Sequence, residues 1–213
     1  MIPGAVANGF KEKDLNLVIA LACRDELARH GVSVKMSRTK DDSETNTEKV
    51  KECNTFAPDL ALDIHNNAGG GDGAEVFHHY RGGAGKTLAN NILAEVVAIG
   101  QNSRGAKIKT NSSGKDAFVF IRDTAAPAVI VECAFLDTKD VRIIDTKEEQ
   151  AAMGVAIAKG VLKTLGIAYK AKQSATNGKT YRVQVGAYSV KANAEAMLAK
   201  LKRAGFDGYI KEG

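Results

Sequence analysis

"LALDIHNNAGGG", residues 60–71, runs from an apolar strand pattern straight into a histidine, two asparagines and three glycines. An apolar run that breaks into Asn and Gly marks a strand ending at a turn, so His65 stands at its lip. Taken alone, such a histidine is either a hydrogen-bonded core or turn residue, or a metal ligand or catalytic base whose partners lie elsewhere in the chain. Upstream, "EKDLNLVIALACRDELARH" (12–30) repeats apolar residues at helical spacing and stops at Gly31, with His30 placed as a cap in the last turn. "VSVKMSR" (32–38) alternates as a strand does, and "SETNTEKVKECNTFA" (43–57) opens on an N-cap-like Ser43 and reads as a second helix. Downstream, "GAEVFHHY" (73–80), "DAFVFIR" (116–122) and "PAVIVEC" (127–133) read as strands. Helices are expected around "KTLANNILAEVVAIG" (86–100) and "KEEQAAMGVAIAKGVLKTLG" (147–166). The alternation predicts an α/β fold, a mostly parallel twisted sheet with helices on both faces and functional groups at the carboxyl ends of the strands.

The C-terminal part differs. "YKAKQSATNGKT" (169–180) is polar, lacks acidic residues and reads as a flexible linker. "YRVQVGAYS", "VKANAEAMLAKLKRAG" and "FDGYIKEG" then predict a small β-α-β unit at 181–213. The expected organisation is 1–168, a linker at 169–180, and 181–213.

Composition narrows the function. The 213 residues carry a net charge of +5, which suits anionic partners without choosing among them. Only 6% are aromatic and Trp is absent, so stacking platforms for nucleic acid are not expected. Cys23, Cys53 and Cys133 form no C-x-x-C pair, which excludes a disulfide framework and a cysteine zinc site. Cys23 and Cys133 fall in apolar patterns and read as core residues. No segment has the roughly 18 apolar residues of a membrane span, and the first residues show no signal peptide. "GGAGKT" (82–87) has the context of a phosphate-binding loop, but Tyr80 stands where that motif needs glycine. His78 and His79 are adjacent in a strand pattern, so they cannot both line one site.

A more productive set is His65 at one strand end, Glu132 at another, and Glu12 at the mouth of the first helix. Together they suit a hydrolytic zinc site, in which imidazole and carboxylate hold the ion and another carboxylate takes a proton from water. Separately, Glu12 also serves as a complement to a helix dipole. Glu132 follows a strand read as buried on both faces, where an unpaired charge is costly.

In that order, "GAVANGFKEKDLNL", "LDIHNNA", "GAEVF" and "PAVIVECAFLDTKD" resemble successive motifs of the zinc-dependent N-acetylmuramoyl-L-alanine amidases of bacteria and phages, over about residues 3–166. "YRVQVGAYSVKANAEAMLAKLKRAGFDGYI" resembles half of a SPOR module, which binds peptidoglycan glycan strands. With "FLDT", the combination is similar to sporulation mother-cell-lysis amidases and phage endolysins. The resemblance implies a peptidoglycan hydrolase that cuts between N-acetylmuramic acid and L-alanine at the cell wall. It also implies Zn²⁺ as cofactor, Glu12 and His65 as ligands, Glu132 as catalytic base, and Asn67 and Arg122 at the substrate or catalytic loop. In the family, a further ligand comes from a "D-P-G-H-G-G" loop after the first strand, whereas here Met1, Ile2 and Pro3 stand at that point and no histidine precedes His30. The chain therefore reads as starting late. His78 or His79 is an alternative third ligand, and a peptidoglycan-binding protein with an incomplete zinc site is the alternative function. An unpaired strand edge in the half module leaves a homodimer through that unit open as a partner. The cations of the linker region suit either wall polymers or simple solubility.

Overall fold

Short loops and strongly periodic segments fold residues 4–42, 44–172 and 183–212, which are the residues described by this computed structural model. The chain divides into two compact units, one through Lys170 and one from Ala171.

The first unit starts with a hairpin of β1 (Val6–Ala7) and β2 (Phe10–Lys11). Its turn residues Asn8 and Gly9 have φ of 49° and 82°, the positive values that an Asn-Gly two-residue turn supplies. Then follow α1 (Glu12–Arg29), α2 (Asn46–Phe56), β3 (Ala61–Asn67), β4 (Ala74–His78), α3 (Ala84–Ala98) and β5 (Ser103–Lys107). The unit ends with α4 (Val119–Asp123), β6 (Ala128–Phe135), a 3-10 turn at Lys139–Ile144 and α5 (Lys147–Thr164). The main sheet has the order β3-β6-β4-β5. β3 pairs with β6 and β4 with β5 in parallel, but β4 runs antiparallel to β6.

The two faces of the sheet are covered unequally. Val129, Val131 and Cys133 of β6 join α1, α3 and α5 in the main core, where Ile19, Leu88, Ile92, Ile157 and Leu162 are fully buried. Each such side chain contributes about 1.5–3 kcal/mol. Helix α5 packs against both α1 and α3. Gly154 allows the backbone of α1 to approach, and Gly160 that of α3. The alternate residues Ala128 and Ile130 face the other way, into a small cluster with Val50 of α2 and Phe120 and Ile121 of α4. Because α2 and α4 are short, they cover only the start of β6. Further along the same face, Asp63, His65 and Asn67 of β3 and Glu132 of β6 stay partly open.

Several sequence expectations change. Residues 32–38 form no strand; a cavity of about 650 Å³ separates them from the outer edge of β3, so no ladder closes. Residues 116–122 were expected as a strand, but α4 occupies 119–123, which sends the adjacent Phe120 and Ile121 into the small cluster. A short apolar run does not distinguish the two periods. Ser43 lies outside the described residues, and Thr45 caps α2, its hydroxyl accepting from Glu48 N–H in a capping box. Strand β5, "SRGAK", escapes pattern reading because it is a charged edge strand.

In the second unit, α6 (Lys191–Arg203) forms as expected. The flanking strands do not: residues 183–188 and 206–212 make no ladder among the described residues, and 173–182, most of the expected linker, lie outside them. The homodimer expectation rested on a strand edge in this unit, and no such edge forms among the described residues. Among the described residues, no helix is long and apolar enough to cross a membrane.

Candidate active site

Register puts three residues in one row. His65 of β3 pairs with Glu132 of β6, and Glu132 pairs with Glu75 of β4. Paired residues on neighbouring strands point to the same face, and this is the open face.

Glu12 reaches the row from the start of α1. The hairpin folds back so that Ala5 N–H donates to Glu12 Oε2 at 2.9 Å while Glu12 N–H donates to Ala5 O. Gly4, at φ 69°, is required here, since a Cβ would collide with the Glu12 carboxylate. Asn8 Nδ2 donates to Leu136 O and ties the hairpin to the end of β6. Glu12 Oε1 lies 2.8 Å from His65 Nδ1, and it also accepts from Asn16 Nδ2 at 3.2 Å. On the other side of the ring, His65 Nε2 lies 3.2 Å from Asp63 Oδ2, and Asp63 is paired with Lys49.

Electrostatics follow from this packing. Burial alone would raise the Glu12 carboxyl, but the hydrogen bond to His65 and that from Ala5 outweigh it and bring it down from 4.5 to about 2. Burial would lower His65, but the hydrogen bonds to Asp63 and Glu12 raise it from 6.5 to about 10. Glu132 behaves in the opposite sense. Burial raises it to about 7; the attraction of His65 opposes this, and repulsion from Glu12, Glu75 and Asp63 adds to it. Its Oε2 is buried without a hydrogen-bond partner. A carboxylate poised near neutrality with an unpaired oxygen has the character of a general base.

Of the expected residues, the structure brings together Glu12, His65 and Glu132, and sets Asn67 beside them, its Nδ2 donating to Glu75 Oε1 at 3.2 Å. Arg122 is not among them. It pairs with Asp123 and donates to Asp116 O at 3.3 Å, beside His79 and Tyr80 in a separate hollow. His78 and His79 are equally remote, because β4 is antiparallel to β6 and His78 pairs with Val129. Three residues of strand separate Val129 from Glu132, about 10 Å. Neither histidine can complete a site at His65, which corrects that alternative. Among the described residues, no group of three or more His, Cys, Asp or Glu is placed to hold a metal ion. Cys133 is fully buried with its thiol raised by burial, as a core residue.

Residues 2–163 match the model of the N-acetylmuramoyl-L-alanine amidase family Amidase_3. The chain belongs to this family. Residues 157–212 match the SPOR domain. The amidase chain is 34% identical to the sporulation-specific N-acetylmuramoyl-L-alanine amidase of Bacillus subtilis, covering 98% of this chain and 79% of that protein. It is 35% identical to the N-acetylmuramoyl-L-alanine amidase CwlM of Bacillus licheniformis, covering 97% and 79%. Among solved structures, the catalytic domain of the amidase CwlV from Bacillus (Paenibacillus) polymyxa var. colistinus superposes with a TM-score of 0.69 at 25% identity, over 78% of this chain and 92% of that one.

Sequence reading missed two amidase residues at the site, Asp63 and Glu75. Asp63 stands two positions before His65 and therefore on the same strand face, a period-2 signal that was available. Glu75 had no such signal, because its place depends on the antiparallel entry of β4.

Proposed function

We propose that this amidase hydrolyses the bond between N-acetylmuramic acid and L-alanine with Glu132 as general base, and that Glu12 and His65 hold zinc. The family is generally zinc-dependent. The donors suit the ion in part: a carboxylate oxygen and an imidazole nitrogen converge at 2.8 Å, and Asp63 stands at the far ring nitrogen, where a carboxylate fixes the tautomer of a ligating histidine. A third protein ligand is not assembled among the described residues. Zinc bound there would acidify water and polarise the scissile carbonyl. Glu132 Oε2 takes the proton from the attacking water and returns it to the leaving amine nitrogen. Asp63 holds the proton on His65 Nε2, leaving Nδ1 for the ion.

The observation that carries this reading is the unpartnered Glu132 oxygen in register with His65. Glu132→Gln should retain bound zinc and lose hydrolysis by about 10²-fold or more, whereas His65→Ala should lose the metal. Full activity in Glu132→Gln would remove the assigned base. The ligand set assembled among the described residues favours a second reading, a chain that binds peptidoglycan through its SPOR region without cutting it. Near-stoichiometric zinc in the purified chain, with release of L-alanine amino termini from cell walls, excludes that reading.

A further inference from the structure

The row that carries His65 and Glu132 continues onto β4 and β5, where its chemistry changes sign. Glu75, 5% exposed, accepts from Arg104 Nε at 2.8 Å and from Lys107 Nζ at 2.5 Å, both on the same Oε2. One buried carboxylate thus faces two cations, and a unit of positive charge is left over. Both cationic side chains are about a third exposed, 36% and 35%. Arg104 also lies over the Phe135 ring, 4.9 Å from its centroid, which holds the guanidinium flat. Only its Nε is engaged by Glu75; among the described residues its Nη groups have no hydrogen-bond partner. On the opposite flank of His65 the balance differs, since Lys49 is matched by Asp63 and Glu12 adds a further negative charge.

We propose that Arg104 and Lys107 form a subsite for the carboxylate of the stem-peptide residue that follows the L-alanine, and so set the direction in which the peptide crosses the sheet. The proposal rests on the function argued above, with the scissile bond over Glu132. From β6 to β5 is two strand spacings, about 10 Å, a span that two or three extended residues cover. A guanidinium with a free edge, backed by an ammonium, is the donor set for a planar carboxylate. Glu75 is the positioning residue that holds both cations in place, and Asn67 steadies it.

Binding tests this independently of turnover. Calorimetric titration of the purified chain with L-Ala-γ-D-Glu-L-Lys and with its isoglutamine counterpart, L-Ala-γ-D-isoGln-L-Lys, compares a free carboxylate with its amide at one position. The acid should bind about tenfold more tightly, with the preference shrinking as salt rises. Arg104→Gln should abolish the preference and Arg104→Lys should keep part of it, with urea unfolding confirming that each variant folds. Equal affinity of the wild type for acid and amide, or a preference that survives Arg104→Gln, would overturn the subsite. So would displacement of the acid peptide by glycerol 3-phosphate at equal concentration, which would identify the cations as a site for wall phosphates instead. None of these outcomes depends on the assignment of Glu132, which the Glu132→Gln activity measurement judges separately.

Discussion

Replacing Glu12 by glutamine keeps the shape of the Ala5 contact but removes the charge that faces His65. In the metal-free protein, the native state holds this carboxyl at about 2 against 4.5 in the unfolded chain. That displacement is worth about 3 kcal/mol of stability. Glu12 is well enclosed, its side chain 12% exposed, so screening removes little of this. Because the native pKa is the lower one, the contribution is complete above pH 4.5 and disappears as pH falls through about 2. His65 has the opposite sign: with a native value near 10 and an ordinary one of 6.5, its contribution is complete below pH 6.5 and is lost as pH rises towards 10. Between about pH 4.5 and 6.5 both are present. Urea unfolding of chelator-treated wild type and Glu12→Gln should therefore differ by about 3 kcal/mol at pH 5.5 and by about half that at pH 3. His65 is charged in the native state at both pH values, so the change in the difference belongs to Glu12. A difference that stays constant between these pH values would refute the charge argument and leave only a packing effect.

Asp63→Asn should lower zinc affinity by about 10–100-fold without removing either proposed ligand, because the ring of His65 loses the carboxylate at Nε2; competition against a chromogenic chelator measures this. Gly154→Ala should destabilise the first unit by about 1–3 kcal/mol in urea, since the new methyl would lie 2.8 Å from Ala22 Cβ and 2.9 Å from Cys23 N on α1, where backbone cannot swing aside. Activity per folded molecule should be unchanged. Phe135→Leu should leave the fold intact but weaken the acid peptide more than the amide, as Arg104 loses the ring it lies against.

Much of this was legible before any coordinates. α1, α3 and α5 announce themselves by long apolar periods, and β3 and β6 by apolar runs that end in polar residues. Glu12, His65 and Glu132 could be singled out because each interrupts such a pattern at an element's end. What escaped depended on packing between distant segments. Phe120 and Ile121 are helical because two adjacent side chains must enter one cluster, which a strand forbids. Gly154 and Gly160 look like weak points in a helix, yet they are where α5 meets the backbones of α1 and α3. Residues 32–38 alternate like a strand, but alternation only prepares a strand; a neighbouring edge within hydrogen-bonding distance completes it.

The antiparallel entry of β4 has the widest consequences for the site. In an all-parallel sheet, the end of β4 would lie with the ends of β3 and β6, and one of His78 and His79 would enter the row that holds His65 and Glu132. Reversing the strand exchanges its two ends. The histidines go to the opposite side, with Arg122 and Asp116, and the start of the strand brings Glu75 into register with Glu132. β5, parallel to β4, then begins at that same end and supplies Arg104 and Lys107 to Glu75. One strand direction thus takes the histidine end of β4 away from the catalytic row and adds a carboxylate clamped by two cations. The row that results is graded across the sheet, from the Glu12 and Asp63 carboxylates around His65, through Glu132, to the surplus positive charge on β5. A substrate that carries its own carboxylate next to the bond to be cut can bind such a gradient in only one direction.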